Sequence, residues 1–264
     1  MLARRTMPPD FIAWNTAHGA PFGFGRADLA GWARGLNRQL PNVPDILRQY
    51  GPFAMQACSS TRRYEYPWVY HQLRARSVGT VVEVGGGLSG LQFVLSAEGN
   101  HVINIDPGDA GFEMDEGAAA MINEVLGTDV EIRRTRLADA GIPHGCVDAV
   151  ISISTWEHLD DDELDSILRE TRTILRPSGR LIVTVDLFLD LYPFTARESN
   201  RFGRNIRLWE LLINSGYRPK TPNPDEVHSN PHFDPMQVMT RLEHFTIGDT
   251  YPVLAQVVVA AKRH

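Results

Sequence analysis

Glu83-Val84-Gly85-Gly86-Gly87-Leu88-Ser89-Gly90 follows directly on the β-branched run Thr80-Val81-Val82, and that junction decides the fold. An apolar run that ends in three glycines reads as a strand entering a tight turn. Apolar residues at helical spacing over 88–97 read as the helix that leaves it. Missing side chains in such a turn let a ligand reach the backbone, and the helix behind it offers unpaired N–H groups.

The same alternation repeats downstream. Residues 101–106 form a second strand stopped by Pro107-Gly108, a helix covers 114–126, and Val130-Glu131-Ile132 is a third strand. Residues 147–153 are mostly apolar, as a strand buried on both sheet faces requires. A helix over 160–175 opens on Asp160-Asp161-Asp162-Glu163, acids that suit the positive end of its dipole, and stops at Pro177-Ser178-Gly179. Residues 181–185 are the fifth strand, and 207–215 are a helix closed by Gly216. Phe245-Thr246-Ile247 and residues 253–260 read as a final hairpin turning at 249–252.

This order predicts an α/β fold: a doubly wound, mostly parallel seven-stranded sheet with an antiparallel edge strand. Residues 1–78, rich in Gly, Pro and aromatics, carry helical patterns only at 29–40 and 67–76. They are expected to form an N-terminal helical arm or cap on a main domain of 79–264, with 220–235 a long loop.

Bulk properties narrow the function. A chain of 264 residues buries a core without staples, and its net charge of -6 argues against a nucleic-acid binder, which would concentrate Lys and Arg on one face. No apolar stretch approaches a membrane span, and the start, with Pro8, Pro9 and Asp10, is unlike a secretory signal. Cys58 and Cys146 stand far apart without zinc-ligand spacing, so a reducing cytoplasm is the expected location and no metal is expected.

The glycine turn alone does not choose a cofactor. Gly85, Gly87 and Gly90 also satisfy the dinucleotide fingerprint, with Asp106 about 20 residues on to hold a ribose, so an NAD(P)-dependent oxidoreductase stays open. A non-catalytic binding module of the same fold stays open too. Against a pyrophosphate stands Glu83, an acid two residues before the first glycine, which would hold a cationic amino group instead.

With Trp156-Glu157-His158-Leu159 after the fourth strand and Arg176-Pro177-Ser178-Gly179 before the fifth, the chain resembles the class I S-adenosylmethionine-dependent methyltransferases, in their bacterial small-molecule branch. The resemblance covers residues 78–186 most closely. It implies S-adenosylmethionine as cofactor, with Glu83, Gly85, Gly86 and Gly87 along its methionine end, Asp106 on the ribose hydroxyls, and Asp139 near the adenine amino group. Ser154, at the end of the fourth strand, joins that set. Asp139 reads equally as a surface turn acid.

Methyl transfer needs the acceptor held in line with the methyl group and water removed. His158, with Glu157, is the candidate catalytic pair, because it follows the fourth strand at the carboxyl edge; the same two residues could simply orient the next helix. Tyr66 is the candidate aromatic contact to the cofactor, or else a core ring. Asp186 ends the fifth strand on the same edge. His228, His232 and Asp234 are metal-type side chains in the long loop, or acceptor contacts. The expected activity is methyl transfer to a small-molecule acceptor, oxygen slightly favoured over nitrogen, with a homodimer as the candidate assembly.

Overall fold

The computed structural model describes residues 1–20, 43–54, 56, 60–74, 79–87, 89–108 and 116–263. The helical pattern at 29–40, Leu88, Cys58 and the expected boundary at 78/79 lie outside or at the limit of these residues. Strand β1 (Thr80–Val84) is central, flanked in parallel by β2 (His101–Ile105) and β4 (Val147–Ile153); β3 (Glu131–Arg133) adds beyond β2 and β5 (Leu175–Phe188) beyond β4. The seven-stranded order is β3-β2-β1-β4-β5-β9-β8, and its antiparallel edge is made by β9 (Val253–Lys262) and β8 (Tyr217–Lys220). A two-stranded ribbon, β6 (Ser199–Asn200) with β7 (Gly203–Arg204), lies outside the sheet.

Both faces are covered. Helices α1 (Pro9–His18), α2 (Val43–Tyr50), α3 (Arg62–Arg74), α4 (Gly90–Ala97) and α5 (Glu116–Leu126) supply one core with Val81, Ile151 and Ile182. Helices α6 (Asp161–Ile174) and α7 (Leu208–Asn214) supply the other with Val82, Val150 and Val183. Alternating side chains of β1 and β4 therefore enter opposite cores, which is why these runs are apolar throughout. Among the described residues no helix is long and apolar enough to cross a membrane.

Three departures from the sequence reading matter for the site. Helix α3 begins at Arg62, more than a turn before Pro67, and carries Pro67 inside it. The last strand pairs with Tyr217–Lys220, not with 245–247, which make only isolated bridges at Phe245 and Ile247. β5 begins at Leu175, because 176–179 bulge out between the Val147–Leu175 and Ala149–Arg180 pairs instead of forming a separate turn. The 220–235 stretch is partly ordered by a single turn at Pro224–Glu226, and helix α8 (Pro235–Thr240) follows it.

Candidate active site

Strand order reverses between β1 and β4, and in open α/β sheets the crevice at the carboxyl end of that switch point takes the ligand. The glycine turn stands there. Gly85 and Gly87 have φ of 71° and 46°, which favour glycine, and a Cβ on Gly85 would lie 2.3 Å from Thr155 Cγ2. At Gly86 the demand is spatial: a Cβ would come within 2.6 Å of Asn104 Oδ1 and 2.8 Å of Glu83 Cδ. Gly90, which the dinucleotide pattern would assign to a cofactor, is instead pressed against the Phe53 ring.

Glu83 is 1% exposed, and its Oε2 has no hydrogen-bond partner among the described residues. Burial pushes the carboxyl up to about 7; the nearby Asp106 charge adds to this, and the Ser89 hydroxyl opposes it. Asp106, at the end of β2, accepts hydrogen bonds from Gly87 N (2.8 Å) and Gly108 N (2.8 Å) and so ties the turn to the second strand. Asn104 donates to Gly87 O (3.0 Å), and its buried Oδ1 is unpartnered. Glu83 and Asp106 thus flank one stretch of bare backbone. These residues fit S-adenosylmethionine: a buried carboxyl with one unpartnered oxygen suits its ammonium, a half-buried carboxylate its ribose hydroxyls, and a glycine cradle its methionine chain.

Tyr66 is buried in the same region and reaches the turn indirectly: its hydroxyl accepts from Gln56, whose Oε1 accepts from Gly90 N (3.1 Å). Its ring packs on Phe53, 5.0 Å between centroids. Asp139 is exposed on the single turn Leu137–Asp139 after β3.

A second group of polar residues gathers where β4 and β5 end. Ser154 has φ 45°, a left-handed conformation that a serine rarely takes. Its hydroxyl donates to Glu65 Oε1 (2.8 Å), lies 3.4 Å from Asp186 Oδ1 and is met by the Arg62 guanidinium. Glu65, fully buried, also accepts from Thr184 Oγ1 (2.5 Å) and pairs with Arg62 at 2.6 Å. Burial opposes its charge, but Arg62 and the two hydroxyls outweigh burial and hold Glu65 below the usual carboxylate range. Asp186 accepts from Tyr251 OH (3.1 Å) and lies 3.9 Å from Arg62; burial pushes it up to about 6 against the pull of Arg62.

Glu157 and His158 part company. Glu157 is 1% exposed, neither carboxyl oxygen has a side-chain partner among the described residues, and burial followed by the Asp186 charge drives it well above the usual range. His158 lies exposed on the outer side of the Trp156–His158 turn and faces the Phe202 carbonyl; partial burial and the Arg62 charge lower its pKa. Gly203 backs this turn so closely that a Cβ would sit 2.4 Å from the Glu157 carbonyl oxygen.

The loop residues do not converge. His228 is buried beside Phe233 with neither ring nitrogen bonded, whereas Asp234 caps α8 by accepting from Met236 N (2.8 Å). Among the described residues no group of three His, Cys, Asp or Glu side chains could hold a metal ion. Arg62, Glu65 and Tyr251 are the cluster members that sequence reasoning missed. For the first two the signal was present in their i, i+3 spacing on a helix read as starting later; Tyr251 gave none.

Residues 82–183 match a methyltransferase domain family. No curated protein matches the chain. In fold it is similar to the cyclase SpnF (TM-score 0.54, 13% identity, 76% of this chain and 83% of that one). It is also similar to the 1,6-didemethyltoxoflavin-N1-methyltransferase of Burkholderia thailandensis (TM-score 0.51, 15% identity, 100% of this chain and 95% of that one). A geranyl diphosphate methyltransferase is comparable (TM-score 0.51, 17% identity, 77% of this chain and 79% of that one). At these identities the likeness is one of fold.

Proposed function

We propose that this chain, whose residues 82–183 match a methyltransferase domain family, is a class I S-adenosylmethionine-dependent methyltransferase that methylates a small-molecule acceptor, a hydroxyl oxygen before an amine nitrogen. The observation that carries the reading is the Glu83 carboxyl, sealed behind the glycine turn with an unpartnered oxygen. It is a socket for an ammonium group and would repel the pyrophosphate of a nicotinamide cofactor. One similar fold holds S-adenosylhomocysteine with 1,6-didemethyltoxoflavin and another holds sinefungin with GPP, which supports an adenosyl ligand beside a small acceptor. Because a cyclase shares the fold, the residues and not the architecture must bear the argument.

Bound S-adenosylmethionine supplies a methyl group activated on sulfonium. The chain's part is to hold and to exclude. Glu83 takes the amino group, the backbone of 85–87 lies along the methionine chain, and Asp106 accepts from the ribose hydroxyls while keeping its bonds to the Gly87 and Gly108 amides. Tyr66 and Ser154 back the ligand, Asp139 lies toward the adenine, and the described N-terminal helices α1, α2 and α3 act as the cap over that edge.

On the acceptor side, Asp186 Oδ receives the proton that a hydroxyl loses as oxygen takes the methyl group. A carboxylate at about 6 is still ionised near neutrality and is more basic than an ordinary aspartate. His158 remains a second base candidate at the mouth of the site, or orients the α6 entry.

Calorimetry with S-adenosylhomocysteine and with NAD tests the reading. Saturable binding of the first and none of the second is expected. Binding of NAD alone would defeat it, and binding of neither would favour a module without a cofactor.

A further inference from the structure

The cluster at the ends of β4 and β5 is unbalanced in charge. Three carboxyl groups, Glu65, Asp186 and Glu157, share one guanidinium, Arg62, and Arg62 is already committed to Glu65 at 2.6 Å. Glu65 is satisfied, with Thr184 and Ser154 as further donors. Asp186 has Tyr251 and Ser154. Among the described residues no other side chain bonds either oxygen of Glu157, although it is as deeply buried as the others.

Native structures rarely leave a buried polar group unpaired, so two missing partners on one carboxyl call for an explanation. Among the described residues the donors that face Glu157 are engaged elsewhere: Arg62 on Glu65 and Ser154, and Tyr251 on Asp186, which leaves the carboxyl only its own backbone N–H. Burial, and then the Asp186 charge, keep Glu157 protonated for want of a cation. A neutral ligand would meet Glu157 only in its protonated form and leave the cluster short of a cation, and an anionic one would add to the excess of acids. The sulfonium of the methyl donor can match only one of them and loses its charge on transfer.

We propose that Glu157 is a cation subsite for the acceptor, pairing with a protonated amine, so that the acceptor is an amino alcohol whose hydroxyl lies toward Asp186. This rests on the methyltransferase reading and names its substrate class. On binding, the O–H bond of Glu157 breaks, its proton goes to solvent, and the ammonium takes that proton's place beside the carboxylate; no other bond changes. Arg62, held by Glu65, is a positioning residue that fixes Ser154 and limits the charge on Asp186.

The test uses S-adenosylhomocysteine-saturated protein, so that no sulfonium is present, with 2-aminocyclohexanol and cyclohexane-1,2-diol as a pair matched in shape. Binding is read from the rise in melting temperature with ligand concentration. The amino alcohol is expected to bind at least about tenfold tighter than the diol. Glu157→Gln is expected to abolish that preference while S-adenosylhomocysteine affinity stays unchanged, because loss of a charged partner is worth about tenfold or more. Equal binding of amine and diol overturns the proposal, as does a preference that survives in Glu157→Gln. If that variant does not fold, the wild-type comparison decides alone. Failure of the wild type to bind S-adenosylhomocysteine overturns the methyltransferase reading as well, whereas retained binding with no amine preference overturns only the subsite.

Discussion

Glu83 shares the α3 side of the sheet with Val81, and its burial has a cost that pH reveals. Its folded pKa of about 7 exceeds the ordinary 4.5, so between these values the folded protein holds a proton that the unfolded chain has released. Stability from this group is therefore full below pH 4.5 and is lost as pH rises through about 7, by about 3 kcal/mol in total. Asp186 and Glu157 tilt the same way, so the informative quantity is the difference between wild type and Glu83→Gln. In urea unfolding without ligand, the variant should gain on the wild type between pH 5 and pH 8. S-adenosylhomocysteine affinity should rise with pH toward 7 in the wild type, as the carboxyl ionises to meet the ammonium, and should lose this dependence in the variant. A parallel pH response of the two proteins would remove Glu83 from the site. Glu83 and Asp106 were legible in the sequence because a strand followed by glycines leaves few places for an acid to stand. Arg62 and Glu65 were not, because proline commonly opens a helix and Pro67 was read as doing so, which left the preceding turn unassigned.

At the scale of elements, local signals that act within a few residues carried over well. The four acids at 160–163 become a full capping box: Asp160 Oδ1 accepts from Glu163 N (2.8 Å), and Glu163 Oε2 accepts from Asp160 N (3.2 Å). Asp160→Ala should cost about 1 kcal/mol and lower the melting temperature by about 2 °C. Calorimetry should find S-adenosylhomocysteine affinity unaltered, since α6 lies on the opposite face of the sheet from Glu65; a large loss of affinity would tie the α6 entry to the ligand. Signals that depend on a distant partner were lost. Tyr217-Arg218-Pro219-Lys220 has a proline in its middle and only four residues, which disguises a strand. It is an edge strand, where a missing N–H is tolerated, and its Tyr217 is fully buried with its hydroxyl donating to Leu168 O (3.0 Å). Residues 245–247 alternate as a strand should, yet they meet β9 only through Ile247 and Leu254.

Over the whole molecule, the stretch left beside β9 when β8 ends at Lys220 is taken by residues from the far end of the sequence. Ala3 N donates to Ala255 O (2.9 Å), Leu2 bridges Gln256, and Arg4 bridges Phe245. This covers an edge that would otherwise present unpaired backbone groups. The clasp on it is Arg4 Nη2, which lies 2.8 Å from both oxygens of Glu226, a carboxylate only 4% exposed that also accepts from Leu2 N (3.2 Å). No local pattern announces a contact across more than two hundred residues, and a pair of arginines near the start of a chain reads as solvated charge. Arg4→Ala leaves a buried carboxylate with Arg241, at 3.5 Å, as its remaining cation. The cost should be about 3 kcal/mol, the lower end of the range for breaking a buried pair, because Arg241 stays. Glu226→Gln, which removes the charge that needs a partner, should cost less, and adding it to Arg4→Ala should restore part of the loss. Urea unfolding of the two single variants and the double variant measures this, and a double variant no more stable than Arg4→Ala would show that the clasp holds by shape and not by charge.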